Sequence, residues 1–412
     1  MRVPLSSLLA ESLKVGCLGF GGPAGQIALM HRVFVEERNW IDDAHFQRML
    51  AFCMLLPGPE AQQLATYIGW RLHGWRGALI AGWLFVLPGA LIVLALSWLY
   101  VAYGEVPLVA AAFDGVKCAV VALVAEALFK VGKRALKTNA AIWIALAAFI
   151  ALIFGAPFPL VIIAAALIGA AGTVAQSATE PPPAQASRGS FAQAFLWLLL
   201  WLTPPAFLAL TLGTDHVLFQ IALLFSILAC VTFGGAYALL AYLTTEAAAR
   251  GWLTPAQMID GLGLAETTPG PLILVNEFVG YLAGHNAGGL ALAGAAIALW
   301  CTFAPSFVWI FAGAPVAERL QSSPRAAGAL AAITAAVLGV IAKLALFFAA
   351  HALFARQITL GPTEWPDFAS AQWWMLGVAI AAGVALIRFR ANLLLVLAVS
   401  ALTGLAARSL GL

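Results

Sequence analysis

The sequence predicts an all-α polytopic membrane protein of two inverted-topology repeats with broken or re-entrant helices. Three observations predict it. The 412 residues are 63% hydrophobic and only 9% charged, where a soluble domain carries about a quarter charged residues. Apolar stretches of bilayer-crossing length, about 20 residues each, recur along the chain. A pair of Gly/Pro motifs in the first half returns in the same order in the second. The solvent for this much apolar surface is lipid, and the 14 Trp and 25 Phe suit lipid-facing and interfacial positions. A net charge of +3 is too small to point to nucleic acid as a partner. The opening residues lack a separate apolar core and a small-residue cleavage site, so no removable signal peptide is expected.

Clear spans are 77–102, 107–129, 140–155, 158–176, 191–212, 288–313, 326–353, 373–388 and 391–407. Four other stretches, 5–34, 44–73, 217–245 and 256–284, are longer and broken near the middle. The breaks are Gly19-Phe20-Gly21-Gly22-Pro23, Pro57-Gly58-Pro59, Phe233-Gly234-Gly235 and Pro269-Gly270-Pro271. Each arm is about 14 residues, roughly 20 Å as helix, which passes the midplane without spanning. Cys17, Cys53, Cys118, Cys230 and Cys301 form no CxxC pair and sit in apolar stretches, so they are expected to be small buried hydrophobes, with no metal site and no cofactor.

The chain divides into a first repeat at 1–176, a polar Pro-rich linker at 177–190, an extra transmembrane helix within 191–216 and a second repeat at 217–412. Phe20-Gly21-Gly22 matches Phe233-Gly234-Gly235, Trp40-Ile41 matches Trp252-Leu253, and Pro57-Gly58-Pro59 matches Pro269-Gly270-Pro271. Pro88 and Pro107 continue the register at Pro305 and Pro324. Two broken elements and four spans make the first repeat; adding span 191–212 puts an odd number of elements before the second, which is therefore inverted. The positive-inside rule agrees. With Lys130, Lys133, Arg134 and Lys137 cytoplasmic, the loops 103–107, 156–157 and 213–216 fall outside and hold no Lys or Arg. Arg356 and Arg408 outside are a mild violation, and charge favours re-entrance of the broken pairs.

Backbone broken at membrane depth must line a cavity or be packed in protein. Each break also frees a helix N-terminus, after Pro23, Pro59, Gly235 and Pro271, whose N–H groups and dipole attract anions. Gly21, Gly22, Gly58, Gly234, Gly235 and Gly270 let an anion approach the backbone, and Pro23, Pro57 and Pro59 suit helix starts. Gln26, Gln62, Gln63, Thr267, Thr268 and Asn276 follow or flank the breaks and donate without fixed charge. Lys14, about two turns before Gly21, is the best fixed positive charge, or else it snorkels to the interface. Glu60, Glu277 and Glu266 are candidate proton carriers, since intramembrane acids are expensive; Asp114 and Glu126 complete the set of main intramembrane acids. Glu126 and Lys343 fall on equivalent positions with opposite signs and are a candidate ion pair, against a local pair of Glu126 with Lys130.

Phe20-Gly21-Gly22-Pro23, then Leu56-Pro57-Gly58-Pro59 followed by Gln62-Gln63-Leu64-Ala65-Thr66-Tyr67-Ile68-Gly69, resemble the chromate ion transporter family in its long, two-domain form. Thr232-Phe233-Gly234-Gly235 and Thr268-Pro269-Gly270-Pro271 extend the resemblance over nearly the whole chain. The resemblance implies efflux of chromate from the bacterial cytoplasm across the inner membrane, and hence chromate resistance. Ala236 stands where the first repeat has Pro23, so the two half-sites are chemically unequal.

The sequence thus points to secondary active export of an oxyanion, in a lipid bilayer, without a cofactor. No GxxxxGK[ST] motif exists for a nucleotide. A sulfate or other anion carrier is the nearest alternative, and a membrane-bound oxyanion reductase is one of another class. The sequence leaves a homodimer open.

Overall fold

The computed structural model describes residues 3–173, 191–233, 235–313, 323–360 and 363–411. The helices in chain order are α1 (Leu5–Leu18), α2 (Gly22–His31), α3 (Asp43–Cys53), α4 (Glu60–Tyr103), α5 (Pro107–Ala135), α6 (Asn139–Ile153), α7 (Phe158–Ile168) and α8 (Phe191–Leu212). They continue as α9 (Val217–Val231), α10 (Ala236–Ala249), α11 (Pro255–Thr267), α12 (Val275–Asn286), α13 (Ala291–Phe303), α14 (Pro305–Gly313), α15 (Pro324–Leu353), α16 (Trp373–Ile387) and α17 (Leu393–Ser409). Five described segments are long and apolar enough to cross a membrane: α4, α5, α8, α13 with α14, and α15. The chain is an all-α, multi-pass membrane protein.

Most expected spans return as helices within a few residues of their bounds. Three differ. Span 77–102 is one arm of α4, whose other arm starts at Glu60. Span 288–313 divides at Ala304 into α13 and α14. Span 158–176 leaves α-helical geometry after Ile168, in a wide turn at Gly169–Thr173. The pattern gave no sign of one element, the hairpin of β1 (Gln357–Leu360) and β2 (Thr363–Pro366), in which Ile358 faces Trp365. The linker 177–190 lies outside the described residues.

Two compact units emerge, and each draws on both halves of the sequence: 1–97, 177–236 and 268–326 form the first, and 98–176, 237–267 and 327–412 the second.

In the first unit, α4 doubles back. His73 and Gly74 leave helical geometry, and the arms on either side meet so closely that a Cβ on Gly69 would lie 2.1 Å from the Gly77 carbonyl oxygen. The α12–α13 pair repeats the device: a Cβ on Gly294 would lie 2.1 Å from the Gly280 carbonyl oxygen. Lipid supplies no hydrophobic drive between helices, so such small-residue contacts, through dispersion, hold the arms together. Aromatic packing adds to this: Trp197 of α8 stacks on Phe307 of α14 at 4.5 Å between centroids, and Trp83 of α4 stacks on Trp300 of α13 at 5.8 Å.

The first broken element also turns back. Lys14 Nζ lies 3.1 Å from Glu37 Oε2, a residue 23 positions on, and Arg38 Nε donates to Glu11 Oε1 at 2.8 Å. A straight helix over 23 residues would separate the pair by about 35 Å. The chain after the Phe-Gly-Gly break therefore returns toward α1. Asp42 caps α3 by accepting from His45 N at 2.9 Å, and that backbone bond, with the His45 ring, holds the Asp42 carboxyl below its ordinary range.

In the second unit α5 is the central helix. Ala119, Ala122 and Leu123 pack with Ala382 and Leu386 of α16 and with Val396 and Leu397 of α17. A Cβ on Gly115 would lie 1.9 Å from the Ser400 carbonyl oxygen, so α5 and α17 touch backbone to backbone. Cys53, Cys118 and Cys301 are buried as expected, whereas Cys17 and Cys230, at matching places before the two Phe-Gly-Gly motifs, are exposed on the protein surface.

The arms of α4 give a direct test. Gly69→Ile inserts a branched side chain into backbone, and overpacking of this kind costs about 1–3 kcal/mol even where neighbours can shift. Fluorescence-detected size exclusion of detergent extracts is expected to show loss of the monodisperse peak, while Gly377→Ala, where a Cβ meets nothing within 4 Å, keeps it.

Candidate functional site

Each break ends one helix and begins another. Gly21, with φ +85°, precedes α2, which carries Pro23 in its first turn. Pro59 immediately precedes α4, with Glu60 its first residue. Gly235, at φ +104°, precedes α10. Pro271 opens a short 3-10 turn, Leu272–Leu274, that runs into α12; regular α-helix there begins three residues later than the sequence suggested.

All four starts meet in the first unit. One cavity is lined by Pro23 and Gln26, by Gly58, Pro59 and Glu60, by Thr232, Gly235 and Ala236, and by Pro271, Leu272 and Ile273. It holds about 20 Å³, the space of one water. The first residues of four helices, whose N-termini carry the positive dipole end, thus meet at one small volume.

Hydrogen bonds between the repeats hold the starts in place. Gly58 N donates to Thr232 O at 2.8 Å, and Gly270 N donates to Gly19 O at 3.0 Å. Gly58 and Gly270 are the middle residues of the two Pro-Gly-Pro motifs, while Gly19 and Thr232 immediately precede the two Phe-Gly-Gly motifs. Exchanging the repeats turns one bond into the other. The geometry needs φ of +108° at Gly58 and +97° at Gly270, a region open to Gly and strained for other residues. Gln26, fully buried, crosses the same seam: its Nε2 donates to Gly270 O at 2.6 Å and to Gly19 O at 3.2 Å. Gln63 Nε2 donates to Pro57 O at 2.7 Å, closing the first Pro-Gly-Pro on its own helix.

Other expected residues sit one layer back. Gln62 Nε2 reaches Phe303 O at 3.5 Å and Asn276 Nδ2 donates to Thr302 Oγ1 at 3.0 Å, so both brace the site against α13. Glu277 is buried one turn beyond the cavity, and its Oε2 accepts no hydrogen bond. The oxygens of Gln26, Gln62, Gln63 and Asn276 are likewise buried without a donor, a concentration of acceptors that water or a protonated acid would satisfy. Thr268 is buried in the first unit. Pro57 contributes its carbonyl, and Gly22, at φ +67°, has open space around a would-be Cβ, so its backbone angle alone calls for Gly. Gly234 lies outside the described residues.

Several expectations are corrected. Lys14 does not reach the cavity; it is half-exposed and joins Glu11, Glu37 and Arg38 in a surface ion-pair chain. Glu126 pairs with Lys130 at 2.6 Å, and Lys343 donates to Leu152 O at 2.9 Å, so the Glu126–Lys343 pair does not form. The i,i+4 spacing of Glu126 and Lys130 puts them on one helix face, which wins over a distant partner. Thr267 turns its hydroxyl back to Leu264 O at 2.7 Å, and Glu266 accepts from Tyr237 OH at 2.7 Å; both belong to the second unit. Reading side chains alone overlooked the Gly19 and Thr232 carbonyls, because backbone acceptors leave no mark in residue type.

The chromate transporter family model matches residues 6–170 and 219–405. The chain belongs to the chromate transporter family. It is 33% identical to a chromate transport protein of Pseudomonas aeruginosa over 81% of this chain and 78% of that one. It is 30% identical to a probable chromate transport protein of Synechococcus elongatus, covering 82% of this chain and 83% of that one. The figure is again 30% for a chromate transport protein of Cupriavidus metallidurans, over 85% and 84%. No solved structure matches. Both matched segments carry a Phe-Gly-Gly and a Pro-Gly-Pro motif, and the cavity is lined by residues in or next to these motifs.

Gln26→Leu keeps the volume and removes the amide that bridges Gly19 and Gly270. A buried acceptor left without its donor costs about 1–3 kcal/mol, here at the seam between repeats. Anion flux in liposomes is expected to fall at least tenfold with the protein still monodisperse; flux equal to wild type would take Gln26 out of the site.

Proposed function

We propose that the chain is a secondary active exporter of chromate in the bacterial inner membrane, working by alternating access between two inverted repeats. The convergence of four helix starts on one cavity in the first unit carries this reading. Helix N-termini and backbone N–H groups offer partial positive charge without a titrating cation, which suits a tetrahedral dianion that must be released as well as bound. The pair of bonds that exchange with the repeats supports a pseudo-two-fold site. Its relatives are named transport proteins, and we read this chain as a carrier and not an enzyme.

A cavity of about 20 Å³ admits one water and no four-oxygen anion. The conformation is therefore closed around the site, and binding requires the helix starts to part. Separation breaks the Gly58–Thr232 and Gly270–Gly19 bonds, whose N–H groups then become donors for the oxyanion. Glu60, at the cavity wall, is a tethered anion at the same dipole ends. Its carboxylate and the substrate compete, so a proton on Glu60 favours substrate binding.

Potential decides direction. A dianion leaving a cell that is negative inside gains about 2.3 kcal/mol per charge per 100 mV, roughly 4.6 kcal/mol for two charges. That gradient alone holds the internal concentration about a thousandfold below the external one. Proteoliposomes with valinomycin-imposed potentials and a clamped pH gradient test this with labelled chromate and sulfate. Chromate efflux is expected to rise with interior-negative potential and to saturate. Flux indifferent to potential would exclude the electrogenic mechanism, and faster sulfate than chromate would reassign the substrate.

A further inference from the structure

We propose that the second unit holds its own proton site, Asp260 on α11, with Lys117 on α5 as a cation that switches between Asp260 and Asp114. The site is distinct from the anion cavity and none of its three charged residues lines it. Its functional consequence rests on the transport reading above, while its existence does not.

Asp260 is 4% exposed, on α11. Tyr100 OH donates to Asp260 Oδ2 at 2.9 Å. Oδ1 accepts no hydrogen bond, and its nearest cation, Lys117 Nζ, stands 3.8 Å away. That ammonium is instead bonded to Asp114 Oδ1 at 2.9 Å. Lys117 thus sits between two carboxylates and serves one of them. Asp114 and Lys117 also line a polar vestibule of about 390 Å³ with Thr254, His351, Gln357 and Gln372, enough for roughly ten waters. Asp114 is 44% exposed there, against 6% for the Asp260 side chain.

Charge counting leads to the proton. Lys117 and Asp114 are the charges that act on Asp260. Around them, α5 adds Cys118, α15 adds His351 at the vestibule, α16 has no ionisable side chain, and α17 has Arg408 near its C-terminus. One ammonium and two carboxylates leave one negative charge over, and Asp260 is the carboxylate shut away from water. A buried acid in that position holds a proton. In the proton-bound state Lys117 stays with Asp114. On release, the Asp260 carboxyl gives its proton to a vestibule water, Lys117 Nζ crosses to the new carboxylate, and Asp114 is left to the water that already reaches it. Total charge falls by the one proton lost, and the steps reverse on rebinding. Asp260 lies seven residues before Thr267, where α11 ends and the chain continues into the Pro269-Gly270-Pro271 break.

Infrared titration of the full chain in detergent tests the site without transport. Wild type is expected to show a protonated-carboxyl stretch that Asp260→Asn lacks and that Lys117→Gln moves to higher pH by at least one unit, because removing the cation favours the neutral acid. In proteoliposomes at zero potential, the stimulation of chromate flux by a pH gradient is expected to fall at least twofold in Asp260→Asn, leaving the part that Glu60 carries, and to return in part in Asp260→Glu. A spectrum unchanged by Asp260→Asn, or a band that Lys117→Gln leaves in place, would overturn the proposal. So would a wild-type response to pH in Asp260→Asn. If Asp260→Asn does not fold, the Lys117→Gln shift decides. Wild type that moves no oxyanion would defeat the transport reading and leave the infrared result standing.

Discussion

A peptide N–H at membrane depth must find an acceptor inside the protein, since lipid offers none and each failure costs several kcal/mol. Four breaks in this chain put peptide groups in that position. The structure answers with acceptors from the other repeat: Thr232 O for Gly58 and Gly19 O for Gly270. The N–H of each Pro-Gly-Pro glycine is satisfied from the other repeat, while Gln63 and Gln26 add side-chain bonds within the first. The Pro-Gly-Pro turn of one repeat and the residue before Phe-Gly-Gly of the other are thus a single device used twice. The rest of the first unit brings those partners together. The glycine contacts in α4 and between α12 and α13 fold each arm back, and the Trp197–Phe307 stack fastens α8 and α14 beside them.

The same constraint bears on why the breaks lie together. Gly and Pro at a kink would serve packing alone if the freed groups were distant from one another. Here the helix starts surround one volume, and Gln26 spans the seam between them. Lys14 is elsewhere, spent on Glu37 and Glu11, so the cavity wall is built from backbone, Gln26, Glu60, Thr232 and apolar side chains.

How much was legible in the sequence follows from what each feature is made of. Spans depend on composition over about 20 residues, so helices such as α8 and α15 could be placed closely. The breaks were legible because Gly and Pro are the residues that backbone geometry demands. Convergence of Pro23, Gly58, Gly235 and Pro271 on one cavity was an inference from repetition, and the structure brings those residues together. Ion pairing was less legible. The local Glu126–Lys130 pair was legible from its i,i+4 spacing, whereas Lys14 and Lys343, assigned by position, went to Glu37 and to the Leu152 carbonyl, partners that spacing does not reveal. Lys117 and Asp260 lie on helices far apart in sequence, with no repeat to link them. Their one signal was an acid and a base in apolar surroundings.

The cross-repeat seam also bears on biosynthesis. Gln26 leaves the ribosome 244 residues before its acceptor Gly270, a delay of roughly 10–50 s at usual elongation rates. Until Gly270 follows, the Gln26 amide has its Gly19 acceptor alone, and until Thr232 follows, the Gly58 N–H lacks its native partner. The early segments must wait near water, in the insertion machinery or at the headgroup level, and enter the bilayer core only with the later ones. Insertion of the short broken arms is in this sense a late, post-synthetic event, with the long spans already in place as the frame that receives them.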